Sequence, residues 1–280
     1  EMLLETDTLY FDRIKNIAYY PANGTVYDSL TTINSKRGTY ISDTKKYKFE
    51  NKVVVNNPDF TLTSARMDFY TESKHAFFYG ATTIIGEDYV VHCREGFYNT
   101  DKKEGYFKKN ASVDYNNRNI IGDSIYFNDT QKYASATQNI RITDTINNSF
   151  ITGNYGQVFK EKDSAMVTHR ALAINLVELD SLFIHADTLI ATGPPEQRII
   201  RGFHDVRIFK EDLSGKTDSI HFNQTSGRAK LIRRPISDRD LQYLTPQEIA
   251  DRNPILWSDE SQMTGDEIHL TIDNKKEVLD

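Results

Sequence analysis

Five aspartates stand at the head of a recurring phrase in this chain: Asp7, Asp123, Asp187, Asp218 and Asp266. Two carboxylates at a fixed separation can cleave a glycosidic bond, and clustered carboxylates can hold calcium. Repetition along the whole chain argues against both, because a catalytic pair is needed once. A short polar side chain bonding nearby backbone at a strand bend explains the recurrence more simply. The single cysteine, Cys93, follows His92. Neighbours on a strand point to opposite faces, so these two form no local thiolate–imidazole pair.

Of the seven histidines, His221 and His269 hold the repeat position that Tyr126 and Tyr10 hold in other copies. On that register both face away from the apolar stripe, and no metal site is expected. Metalloprotease, Cys-x-x-Cys, phosphate-loop and Gly-x-Ser-x-Gly motifs are missing from the sequence. The reading is a non-enzyme without cofactors. A basic run, Arg228, Lys230, Arg233 and Arg234, stands out on a chain of net charge −6. Arginine pairs bidentately with phosphate, so this run is the candidate contact for an anionic head group. The acidic balance itself argues against nucleic acid as partner.

The elements that must carry these residues are strands. β-Branched and aromatic residues number 96, against 32 alanines and leucines, and such side chains suit a pleated, half-buried surface. The phrase Asp-Ser-Ile-Tyr-Phe at 123–127 recurs as Asp7-Thr8-Leu9-Tyr10-Phe11 and Asp218-Ser219-Ile220-His221-Phe222. Weaker copies lie between them, and the mean interval from Asp7 to Asp218 is about 30 residues, a repeat signature. A second phrase follows a polar turn in each unit, as in Asn51-Lys52-Val53-Val54-Val55, Asn139-Ile140-Arg141-Ile142 and Asp205-Val206-Arg207-Ile208. Period-two alternation in both phrases marks strands with one buried face.

One unit therefore reads as strand, turn, strand, turn. Nine units predict about 16 to 18 antiparallel strands of about five to nine residues. The last interval is longer, which places an insertion at about 233–262 within a single repeat domain spanning 1–280. There Thr245-Pro246-Gln247-Glu248 reads as a capping box and predicts one short helix over about 246–252. Trp257 is expected to pin the insertion to the sheet. No apolar run is long enough for a membrane-spanning helix, and Glu1-Met2-Leu3-Leu4-Glu5 does not read as a secretory signal.

The repeated phrase resembles the OstA-like family of lipopolysaccharide-transport proteins, which includes LptA and the N-terminal domain of LptD. The resemblance is carried by Gly122-Asp123-Ser124-Ile125-Tyr126-Phe127, Ala186-Asp187-Thr188-Leu189 and Gly265-Asp266-Glu267-Ile268, with Asn-Ile-Arg-Ile at 139–142 and Asp-Val-Arg-Ile at 205–208. It implies an all-β, open β-jellyroll folded like a taco, a periplasmic location with possible outer-membrane association, and a groove that shields acyl chains of lipopolysaccharide or a related lipid. It also implies partners, either other bridge proteins or further copies of the chain, joined through edge strands. The expected groove lining is Leu9, Phe11, Val53, Val55, Met67, Phe69, Ile125, Phe127, Ile140, Ile142, Leu189, Val206, Ile208, Ile220 and Phe222. The competing reading keeps the same inward stripe as the filled core of a self-associating scaffold with no lipid.

Overall fold

A computed structural model of the protein describes residues 2–176, 181–233, 235–258 and 261–272. Six short strands open it: β1 (Met2–Thr6), β2 (Tyr10–Asp12), β3 (Ile17–Tyr20), β4 (Gly24–Asp28), β5 (Thr31–Ser35) and β6 (Arg37–Ile41). Then come β7 (Lys46–Asn57), β8 (Phe60–Tyr70), β9 (His75–Gly86), β10 (Tyr89–Asn99), β11 (Glu104–Tyr115) and β12 (Arg118–Asn128). The series continues through β13 (Tyr133–Asp144), β14 (Ser149–Phe159), β15 (Ser164–Asn175), β16 (Leu182–Thr192), β17 (Ile199–Lys210) and β18 (Leu213–Asn223). Four short strands close it: β19 (Arg228–Ile232), β20 (Ile255–Ser258), β21 (Ser261–Thr264) and β22 (Glu267–Thr271). The chain is all-β and its pairings are antiparallel, as in β7 with β8 and β17 with β18. The strands group into two compact units, Glu1–Thr137 and Gln138–Asp280.

The strands are longer than the expected five to nine residues, and among the described residues there are 22 of them. From β7 to β18 each has 11 or 12 residues. The reason lies at the second phrase. Asn51, Asn110, Asn139 and Asp205 do not begin strands after a turn; each sits in mid-strand, beside a second residue of positive φ. The pairs are Asn51-Lys52, Lys109-Asn110, Gln138-Asn139, His169-Arg170 and His204-Asp205. At 51–52, 109–110, 169–170 and 204–205 the pair makes a bulge, so that Glu50 opposes Arg66 but Val53 already opposes Ser64. Left-handed conformation costs roughly 1–2 kcal/mol per non-glycine residue. Burying Phe49 and Val53 on either side returns about 1.5–3 kcal/mol each, so burial carries the corner.

The bend makes two layers from one row of strands. Phe60, at the start of β8, meets Tyr98, near the end of β10, with ring centroids 5.7 Å apart. Tyr89 and Phe127 repeat this contact at 4.8 Å one hairpin later. The hairpin ends repeat as well: Lys45, Lys74, Lys103 and Lys132 all have positive φ. Each turn hangs on the preceding one, with Thr71 N–H donating to Lys45 O at 3.0 Å and Thr100 N–H to Lys74 O at 3.1 Å. Asparagine and aspartate at strand ends close these turns; Asn99 Oδ1 accepts from the Asp101 and Lys102 N–H groups.

The insertion holds two short helices, α1 (Asp238–Leu241) and α2 (Pro246–Ala250). The capping box on α2 forms as read, with Thr245 and Glu248 bonding each other's backbone N–H. The anchor of the insertion is Leu256 rather than Trp257. Leu256 is 2% exposed on β20, while Trp257 alternates outward, is 37% exposed and donates to Gln262.

Candidate functional site

Thirteen of the fifteen expected lining residues point into the interior of their unit and are buried. The exceptions are Leu9 and Phe11, 53% and 58% exposed. Leu9 precedes β2, and Phe11 lies on this three-residue strand, which pairs with β3. In the unit 138–280, Ile140, Ile142, Leu189, Val206, Ile208, Ile220 and Phe222 are all packed inward. In the unit 1–137, Val53, Ile125 and Phe127 are likewise buried among neighbours.

Val55, Met67 and Phe69 do something further. Together with Ile33, Phe60, Leu62, Ala76, Phe78 and Tyr98 they line a cavity of about 340 Å³. Strands β5, β7, β8, β9 and β10 each contribute inward positions to it. The walls are apolar, and the polar groups stand at the mouth: Asp28, Asn57, Lys74 and Asp101. Lys74 Nζ lies 2.9 Å from Asp28 Oδ2, an ion pair across the end of β4 and the β8–β9 turn. Asn57 donates to Thr31 Oγ1 at 2.8 Å beside it. Burial raises the Tyr98 phenol well above its usual range, with the charge of Tyr89 acting the same way. An apolar chamber of this size with a charged mouth can hold a small apolar body and one polar end.

Sequence alternation carried the signal for Phe60, Leu62, Ala76 and Phe78, which sit on the period-two stripes of β8 and β9. The mouth residues had none, since Asp28 and Lys74 are 46 residues apart.

The remaining candidate groups are dispersed. Asp123 and Asp187 are at exposed corners of β12 and β16, and Asp7 and Asp266 lie outside strands. Cys93 is 4% exposed, and burial pushes its thiol up to about 12, so it stays protonated near neutrality. His92 faces out and bonds Thr83 Oγ1 at 3.1 Å. His221 and His269 share one face, each opposite Lys230. Burial, then Arg201 and Lys230, lower the His221 imidazole. Among the described residues no three His, Cys, Asp or Glu side chains converge as metal ligands. Of the basic run, Lys230 pairs with Glu267 at 2.7 Å and Arg233 with Asp266 at 3.4 Å. Arg228 is exposed on β19, and Arg234 lies outside the described residues.

Comparison with known proteins gives a family and a distant structure. Residues 1–65 match the family described as OstA-like protein. The chain is similar to LptH of Pseudomonas aeruginosa, described as the LptA-homologous periplasmic component of the conserved lipopolysaccharide transport device. Identity is 14% and the TM-score 0.35, over 38% of this chain and 76% of that one. A likeness at that level bears no weight on fold or function. No curated protein matches the chain in sequence. The family match falls on the first six strands, β7 and the first half of β8, while the copies carrying the sequence resemblance lie at 122–127, 186–189 and 265–268. The match and the repeated phrases point to the same family, OstA-like protein, with residues 1–65 as the matched segment.

Proposed function

We propose that this chain is a periplasmic lipid-binding module of a lipopolysaccharide-transport bridge. It performs no bond chemistry. The observation that carries the reading is the apolar cavity at Val55, Leu62, Met67 and Phe69 with its charged mouth. Each buried methylene contributes about 0.8 kcal/mol, so one acyl segment gains useful affinity without any catalytic group. The OstA-like match at residues 1–65 supports the transport role. An anionic head group meeting Arg228, Lys230, Arg233 and Arg234 would have to displace Glu267 and Asp266 from their ion pairs. Partners would join at short strands such as β2 and β21, each paired along one side only among the described residues.

Photo-crosslinking to lipopolysaccharide from position 67 tests the proposal, with outward position 63 and deeply packed position 125 as controls. Saturable labelling from 67 and not from 63 is expected. Labelling from none of the three, in an assay where a known carrier labels, would leave the second reading. That reading is a filled scaffold, favoured by the near-complete burial of the stripe away from the cavity.

A further inference from the structure

A second concavity lies outside the interior, along the corners of the N-terminal strands. A groove of about 870 Å³ is lined by Lys36, Arg37, Lys52, Asn23 and Asn51, with small apolar walls from Ala22, Ala65 and Ala81. Three successive corners carry the polar groups. They are tied together by backbone, with Asn23 N–H donating to Lys36 O at 2.8 Å and Lys36 N–H to Asn51 O at 3.0 Å. The cations are thus mounted on one hydrogen-bonded ladder rather than scattered on loops.

Their lack of partners is the second observation. Some lysines elsewhere in this unit find carboxylates, Lys46 with Asp68, Lys74 with Asp28, Lys103 with Asp59 and Lys109 with Glu95, while others among the described residues, such as Lys15, Lys48 and Lys102, stand singly on the surface. Among the described residues Lys36, Arg37 and Lys52 have no such ion pair, and no carboxylate lines the groove. Glu50 stands opposite Arg37 in register but outside the lining. Three like charges lining one groove repel one another, and a bound anion relieves that repulsion. Guanidinium and ammonium donors beside two carboxamides match tetrahedral oxyanions, which take several charge-assisted hydrogen bonds at once.

We propose that this corner groove binds a phosphate group, either free or carried by a lipid. The proposal stands apart from the lipid cavity: absence of labelling from position 67 leaves it intact. The test compares wild type with a groove variant, Lys36→Gln, Arg37→Gln and Lys52→Asn, and a charge-matched control, Lys15→Gln, Lys48→Gln and Lys102→Gln. All six side chains are exposed, and asparagine tolerates the positive φ of position 52. Circular dichroism melts check that both variants fold.

Inorganic phosphate is titrated calorimetrically, and binding to phosphatidylcholine vesicles with and without phosphatidic acid is measured by co-sedimentation. At least tenfold weaker binding in the groove variant is expected, with the control within twofold of wild type and added salt weakening both. Phosphate-competed binding to phosphatidic acid vesicles identifies a lipid phosphate, and binding of inorganic phosphate alone identifies the free anion. No binding of either probe by wild type, or equal loss in both variants, overturns the proposal.

Discussion

Replacing Ala76 by leucine asks whether the cavity is real space. Ala76 is buried on β9 between Phe69 and Tyr98 and lines the cavity wall. Leucine adds three carbons, a small part of about 340 Å³. Their burial contributes about 2.4 kcal/mol at about 0.8 kcal/mol per methylene, and fixing the side chain costs about 0.5–1 kcal/mol. The net expectation is a gain of about 1.5 kcal/mol, which raises Tm by about 3–6 °C at the sensitivity of a unit this size. If the side chains fill the space instead, overpacking costs about 1–3 kcal/mol. The sign therefore decides. Urea unfolding monitored by circular dichroism measures it, and displacement of a fluorescent fatty acid reports on occupancy in parallel. A loss of stability above about 1 kcal/mol would refute the cavity and with it the lipid reading.

Two further outcomes follow from the packing. Adding a Cβ to Gly38 would bring it within 2.3 Å of the Tyr20 ring, whose hydroxyl is 2.7 Å from Ser35 Oγ. Gly38→Ala is expected to destabilise by about 1–3 kcal/mol, and much less in a Tyr20→Leu background; equal losses in both backgrounds would show that the ring is not the obstacle. The second outcome concerns alkali. Burial pushes the Cys93 thiol and the Tyr47 and Tyr89 phenols up to about 12, and Tyr98 higher still. The unfolded chain releases these protons first, near pH 9 for the thiol and pH 10 for the phenols. Stability attached to these groups is therefore present below about pH 9 and falls as pH rises toward 12. Phenolate absorbance against pH checks this, and a single titration of all sixteen tyrosines near pH 10 in the folded protein would contradict it.

Much of this molecule is written locally. Branched and aromatic residues set the all-β class, and the stripes Val53–Val55, Ile140–Ile142 and Ile220–Phe222 mark inward faces because side chains alternate along any strand. The Thr245–Glu248 cap is equally local, since both partners lie within one helical turn. The sequence reading starts strands at Asn51 and Asp205, just after a turn, where the structure has mid-strand corners, and the reason is physical. A turn and a mid-strand bulge ask for the same left-handed backbone, and the sequence signal is shared. Strand length, which depends on which of the two forms, was therefore settled by pairing across hairpins.

Tertiary structure alone decided the rest. Leu9 and Phe11 carry the inward pattern, yet both stay exposed, Leu9 ahead of the three-residue strand β2 and Phe11 on it. Lys230 and Arg233 meet Glu267 and Asp266 through the register of β19 with β22, across more than thirty residues of chain. The cavity at Met67 and the three corner cations without an ion pair among the described residues depend on what distant neighbours fail to fill or neutralise. Alternation can name the residues that face inward, but an empty volume or an unanswered charge is a property of the surroundings, and those are assembled only on folding.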